Sequence, residues 1–196
     1  MYHVTDWGVS LESKFKSEFE KLGGTVVLSE GIKQDSKDFR TVLTKIKAQN
    51  PDYIFMALYT NGGTTALAQA KDLGIKTKIL FPETGEDPAF IKAVPAGMDL
   101  VYYIQKSPSN PEFVAKLQAK GVQEVPGCSP QAYDAMKLTA YIMSKTGTNP
   151  DAFADEMHKV SYEGVSGKNV FDANGDLAEA SFVLKRVENG KATEIK

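Results

Sequence analysis

The stretch Asn50-Pro-Asp-Tyr-Ile-Phe-Met-Ala-Leu-Tyr-Thr-Asn-Gly-Gly63 decides the fold. Tyr53 to Leu58 is almost wholly apolar, which suits a central parallel strand covered on both faces. Tyr59 to Gly63 then turns into a helix running from Thr64 to Leu73 and closed by Gly74. Upstream, Phe39, Val42, Leu43 and Ile46 recur at helical spacing, with Asp35-Ser36 as the cap and Pro51 just past the end. Further back, Thr25 to Leu28 reads as a second strand. Leu11, Phe15, Phe19 and Leu22 form one face of a first helix stopped by Gly23-Gly24. Met1 to Val4 is a strand stub, and Thr5-Asp-Trp-Gly8 is the turn after it.

Downstream, Lys78 to Phe81 and Leu100 to Ile104 read as strands, with a short helix from Asp87 to Ala93 between them. Alternating short strands and helices are the pattern of βαβ units, so the expected fold is α/β, a doubly wound parallel five-stranded sheet. Ligands of such sheets sit at the carboxyl ends of the strands. From Gln105 the pattern changes to successive helices, Asn110 to Ala119, Ser129 to Lys145 and Asn149 to Val160. A C-terminal β-hairpin follows: Lys168 to Phe171, a turn at Ala173-Asn-Gly-Asp176, Ser181 to Val187, and a second turn at Glu188-Asn-Gly190. The opening strand has only four residues and the helices lack a sheet of their own, so the expectation is that a preceding partner segment is missing.

Hydrophobic residues make up 42% and charged residues 24%, which places the chain among ordinary globular proteins. A net charge of -2 with mixed signs gives no footprint for nucleic acid. No apolar run approaches the roughly 18 residues needed to cross a bilayer, and the N-terminus lacks signal-peptide character. The lone Cys128 has neither a disulfide nor a metal-type partner and reads as a structural thiol. His3 and His158 lie outside any metal-ligand pattern, so no metal and no cofactor are expected. Asp172-Ala-Asn-Gly-Asp176 begins like a calcium loop, but Leu177 and Val183 stand where glycine and glutamate are needed. Asp151 and Asp155 sit early in a helix, where acids favour the dipole. Without a Gly-x-Ser-x-Gly elbow, no catalytic residue is assigned.

The candidate ligand residues are Trp7, Tyr59, Thr60 and Glu83, at the ends of the first, third and fourth strands. Two aromatic walls and one carboxylate on a common crevice suit a small zwitterion, the acid pairing with its ammonium group. Singly, each residue has a plain structural reading: Trp7 as a cap on the core edge, Tyr59 as packing, Glu83 as a solvated loop charge. Together they point to a site. Asn61-Gly-Gly63 reads as a tight turn on its rim and lacks the spacing of either nucleotide-binding glycine loop.

An ordered set of short motifs resembles the type I periplasmic binding proteins, and among them the leucine/isoleucine/valine-binding group. The set comprises Asp6-Trp-Gly8, Leu22-Gly-Gly24, Lys37-Asp-Phe39, Asn50-Pro-Asp52, Gln69-Ala-Lys-Asp-Leu-Gly74, Phe81-Pro-Glu83, Tyr133-Asp-Ala135, Gly164-Val-Ser-Gly167 and Phe171-Asp-Ala-Asn-Gly-Asp176. The resemblance implies a two-lobed clamp that closes on an amino acid and delivers it to an ABC permease, in a periplasmic or extracytoplasmic setting. It implies that residues 1–105 are the second-lobe ligand-binding core, that 106–164 are crossover helices normally packed in the first lobe, and that 165–196 form a hairpin returning through the hinge. It maps the second lobe's aromatic and acidic ligand roles onto Trp7, Tyr59 and Glu83, with Trp7 standing where tyrosine is expected. With the first lobe absent, weak binding of free amino acids and a dimer by exchange of the C-terminal helices are expected. The rival readings are the ligand-sensing module of a receptor with the same clamp, a doubly wound nucleotide- or phosphate-binding enzyme domain, and a structural module that binds no ligand.

Overall fold

A computed structural model describes residues 1–108 and 110–195. The chain is α/β and divides into two units: Met1–Ile104 with Val183–Lys196, and Gln105–Phe182.

The first unit opens with β1 (Tyr2–His3), α1 (Asp6–Lys21), β2 (Gly31–Ile32) and α2 (Arg40–Gln49). It continues with β3 (Tyr53–Phe55), α3 (Thr60–Asp72), β4 (Lys78–Phe81), a 3₁₀ turn (Glu83–Glu86), α4 (Pro88–Ala93) and β5 (Leu100–Gln105). The last strands are β8 (Phe182–Glu188) and β9 (Lys191–Ile195), and the five-stranded sheet runs β3-β4-β5-β8-β9. It is mixed: β3, β4 and β5 are parallel, whereas β8 and β9 are antiparallel. The β8–β9 turn falls on Asn189 and Gly190, both at positive φ, as the Asn-Gly pair predicts. On the other side β1 pairs in parallel with β2 and bridges Ala57, just beyond β3.

Burial explains the layering. Ile54, Ile79, Phe81, Leu100 and Tyr102 project from one face of the sheet into a core that also takes Phe39, Leu43 and Ile46 from the α2 segment, Leu67 from α3 and Phe90 from α4. The opposite face receives Phe15 of α1, stacked 4.3 Å from Phe55.

Several local readings shift. The expected turn at Thr5 to Gly8 is the start of α1, because the Thr5 hydroxyl accepts the Gly8 amide and so caps the helix. Leu22, expected on the apolar face, is 86% exposed beyond the helix end. The second strand is Gly31–Ile32 rather than Thr25 to Leu28. Gly31 lies against β1, where a Cβ would come within 2.9 Å of the Val4 side chain. Helix α2 starts at Arg40, and its entrance is held by a distant residue instead of the Asp35-Ser36 pair. The Phe39 amide donates to Gln69 Oε1 at 2.7 Å, and Gln69 Nε2 donates to the Lys37 carbonyl at 2.9 Å.

The second unit holds α5 (Pro111–Ala119), α6 (Ser129–Thr146), α7 (Pro150–Met157), β6 (Ser161–Gly164) and β7 (Gly167–Val170). Asn110 and Asn149 cap α5 and α7. Leu138, Ile142 and Val160 form its small core, packed with Phe153, Met157, Tyr162 and Phe171. The antiparallel partner of β7 is β6, not the later strand that the hairpin reading assigned. Buried Asp134 of α6 explains this pairing: its carboxylate accepts from the Val165 amide at 3.0 Å, the Ser166 amide at 2.6 Å and the Ser166 hydroxyl at 2.5 Å. Gly164 lies against that carboxylate, where a Cβ would collide. The Ala173 to Asp176 segment is a tight turn, but it is closed by a bridge between Phe171 and Leu177. Asp172 Oδ1 accepts the Asn174 and Asp176 amides, so that oxygen is spent on the turn.

Candidate functional site

The candidate residues lie in the first unit, just past the carboxyl ends of β1, β3 and β4. Trp7 sits in the first turn of α1, Tyr59 is the N-cap residue of α3, Thr60 is its first helical residue, and Glu83 opens the 3₁₀ turn. The rings of Trp7 and Tyr59 stack with centroids 4.7 Å apart and planes 19° apart. All four residues are partly exposed.

Hydrogen bonds tie the β3 and β4 loops together around Tyr59. The Thr84 hydroxyl donates to the Leu58 carbonyl at 2.9 Å, and the Thr60 hydroxyl donates to the Thr84 carbonyl at 3.4 Å. Glu83 is therefore one residue from a bridge that spans both neighbours of Tyr59.

His3 lies beneath the rim, fully buried, with its ring 5.3 Å from that of Tyr59. Its Nδ1 accepts the Tyr59 amide at 3.2 Å, which in the neutral ring places the proton on Nε2. Nε2 is buried without a hydrogen-bond partner among the described residues. Burial holds this imidazole below its ordinary pKa. The ring thus serves as a neutral support for the Tyr59 backbone.

The two glycines after Asn61 are not a rim turn. They belong to the first turn of α3, and both are buried. A Cβ on Gly62 would fall 2.7 Å from His3 Nε2, and one on Gly63 would collide with Phe81. Their physical role is close approach of α3 to β1 and β4, and the Gly63 amide is already used by the Tyr59 carbonyl.

Sequence reasoning missed three members of this neighbourhood: His3, Thr84 and Tyr103. Tyr103 stands on β5, where alternation turns it away from the buried Tyr102. Burial first, and then the negative charge of Glu83, push its phenol above the ordinary tyrosine range. The parity of the run Leu100 to Gln105 was the available signal. A separate groove of about 590 Å³ lies in the second unit, lined by residues including Pro111, Phe113, Pro126 and Pro130. Its lining holds no charged side chain, so it does not suit a zwitterion. Among the described residues no cluster of three or more metal-type side chains occurs, and no helix is long and apolar enough to cross a membrane.

The fold agrees with the likenesses of the chain. It is 25% identical over 208 residues to the leucine-, isoleucine-, valine-, threonine- and alanine-binding protein of Pseudomonas aeruginosa, covering 100% of this chain and 54% of that protein. The structure of a leucine binding protein from Thermotoga maritima superposes with a TM-score of 0.85 at 26% identity, covering 98% of this chain and 57% of that one. A solute binding protein of an ABC transporter from R. palustris, in complex with 4-hydroxybenzoate, gives a TM-score of 0.82 at 25% identity over 99% of this chain and 58% of that one. The chain spans about half the length of the curated relatives it matches. The sequence model described as periplasmic binding protein matches residues 1–192, so this α/β chain belongs to the type I periplasmic binding protein family.

Proposed function

We propose that Trp7, Tyr59, Thr60 and Glu83 form one side of a site for a branched-chain or related amino acid, in the substrate-binding component of an ABC transporter working outside the cytoplasm. In this reading the Glu83 carboxylate takes the ligand ammonium, and the stacked Trp7 and Tyr59 rings face its apolar side chain. Residues 1–105 supply the ligand-binding core and 106–164 the crossover helices, and the return through the hinge falls within 165–196, where the chain re-enters the first unit at Val183. The partner is an ABC permease, and the chain performs no chemistry on its ligand. The observation that carries this reading is the Trp7–Tyr59 stack, laced by Thr60 and Thr84 to the turn that bears Glu83.

Trp7 is the only tryptophan, so its fluorescence reports on the site directly. With ligand contacts from one side only, L-leucine should quench or shift it with a dissociation constant of about 1 mM or weaker. Glu83→Gln should lower that affinity tens-fold, since a charge-assisted hydrogen bond contributes about 1.5 to 3 kcal/mol. Equal affinity in the variant would defeat the assignment of Glu83. The R. palustris relative favours a second reading, an aromatic carboxylate ligand. Glu83 opposes it, because a carboxylate on the rim repels a benzoate. A tighter response to 4-hydroxybenzoate than to leucine in the same titration would reverse the preference.

A further inference from the structure

The 3₁₀ turn that begins with Glu83 ends on Glu86, whose carboxylate is gripped by two strands. Tyr102 Oη of β5 donates to Oε2 at 2.6 Å. Lys185 Nζ of β8 donates to Oε1 at 2.7 Å and to Oε2 at 2.9 Å. The lysine and glutamate side chains are only 26% and 21% exposed, which sets the pair apart from a screened surface ion pair. Burial, and then the bond to Glu86, raise the Tyr102 phenol, so it stays protonated and remains a donor. Gly85 rests on the Tyr102 side chain, where a Cβ would come within 2.9 Å, and its amide closes the turn on the Pro82 carbonyl at 2.9 Å. The turn has little freedom to move on its own.

The two gripping strands have a topological distinction. The chain leaves the first unit after Ile104, at the end of β5, and re-enters it at Val183, on β8. Tyr102 and Lys185 are each two residues from one of those crossings.

We infer that Glu86 is a positioning residue, which fixes the turn carrying Glu83 and links it to both strands on which the chain passes between its units. The functional half of this inference rests on the ligand reading above: ammonium capture at Glu83 would be felt at β5 and β8.

Amide hydrogen exchange on the ligand-free chain tests the positioning directly. In Lys185→Met and in Glu86→Gln, exchange at Gly85 and Glu86 should quicken about tenfold, the effect of losing roughly one charge-assisted hydrogen bond. The amides of Ile54 and Ile79 should keep their wild-type rates, and Lys185→Arg should restore most of the protection. Unchanged exchange in the turn, or an equal rise throughout β3 and β4, overturns the role. A parallel titration with L-leucine, followed by amide chemical shifts, tests the link. In the wild type the perturbation should run from Trp7 and Glu83 to Glu86, Tyr102 and Lys185, and in Lys185→Met it should be lost from β8 and weakened several-fold at Glu83. Perturbation confined to Trp7 and Glu83, alike in both proteins, overturns the link while leaving the ligand assignment standing. Leucine that perturbs nothing in the wild type overturns both the assignment and the link, and the exchange result alone then decides the positioning role.

Discussion

In the first unit, buried side chains run without a break from Phe39 and Leu43 through Ile54, Ile79 and Leu100 on successive strands to Phe90 on α4. In the second, the core among the described residues is Leu138, Ile142 and Val160, and one face of α6 leaves Tyr133 and Met136 exposed. The first unit is held by apolar packing on a sheet. The second relies on a buried carboxylate that ties a helix to a hairpin turn. The candidate site belongs to the well-packed unit, where a rigid scaffold fixes the loops at the strand ends.

Truncation of the first core should have the largest effect. Phe81 is fully buried 4.5 Å from Phe90, so Phe81→Ala should cost about 4 kcal/mol in urea denaturation. A cost below about 1 kcal/mol would mean that the sheet is loosely packed at this position. Asp134→Ala strands three donors in the second unit and should cost on the order of 3 kcal/mol there. Exchange protection of the first-unit strands should be unaffected; if it falls equally, the contrast between the units is wrong.

A subtler test is acidification. The buried His3 resists protonation, while the unfolded chain takes up a proton near pH 6.5. Its contribution to stability is therefore complete above that pH and declines as pH falls through 6.5 toward the lower folded value. The slope of stability against pH should be smaller in His3→Gln, a comparison that cancels other groups titrating in the same window. Met136→Lys should do least. Met136 is 72% exposed, so the change should stay within about 0.5 kcal/mol. A larger loss would reveal that this face of α6 is packed and not exposed.

Much of the first unit was legible because its signals are local. The apolar run at Tyr53 to Leu58, the helical spacing after it and the Asn-Gly turn at 189–190 each depend on neighbours in sequence. What escaped depends on distant partners. A two-residue strand such as β2 has no periodicity to detect, and it is defined by its pairing with the distant β1. The entrance to α2 is set by Gln69, and the second unit's hairpin by Asp134, which lies 31 residues before Val165. Tyr133-Asp-Ala135 and Gly164-Val-Ser-Gly167 were visible as separate motifs; their union required coordinates. The candidate site divides in the same way. Trp7, Tyr59, Thr60 and Glu83 follow from the rule that strand ends gather at one edge, whereas His3, Thr84 and Glu86 emerge only from contacts.

The bonds from Thr84 to Leu58 and from Thr60 to Thr84 have an evolutionary corollary. Because both flanks of Tyr59 are fastened to the next loop, letting one loop drift would break these bonds. Under the proposed ligand reading, a lineage adapting to a bulkier or slimmer guest must instead exchange the rings themselves, so variation among descendants should concentrate at Trp7 and Tyr59 and spare the two threonines.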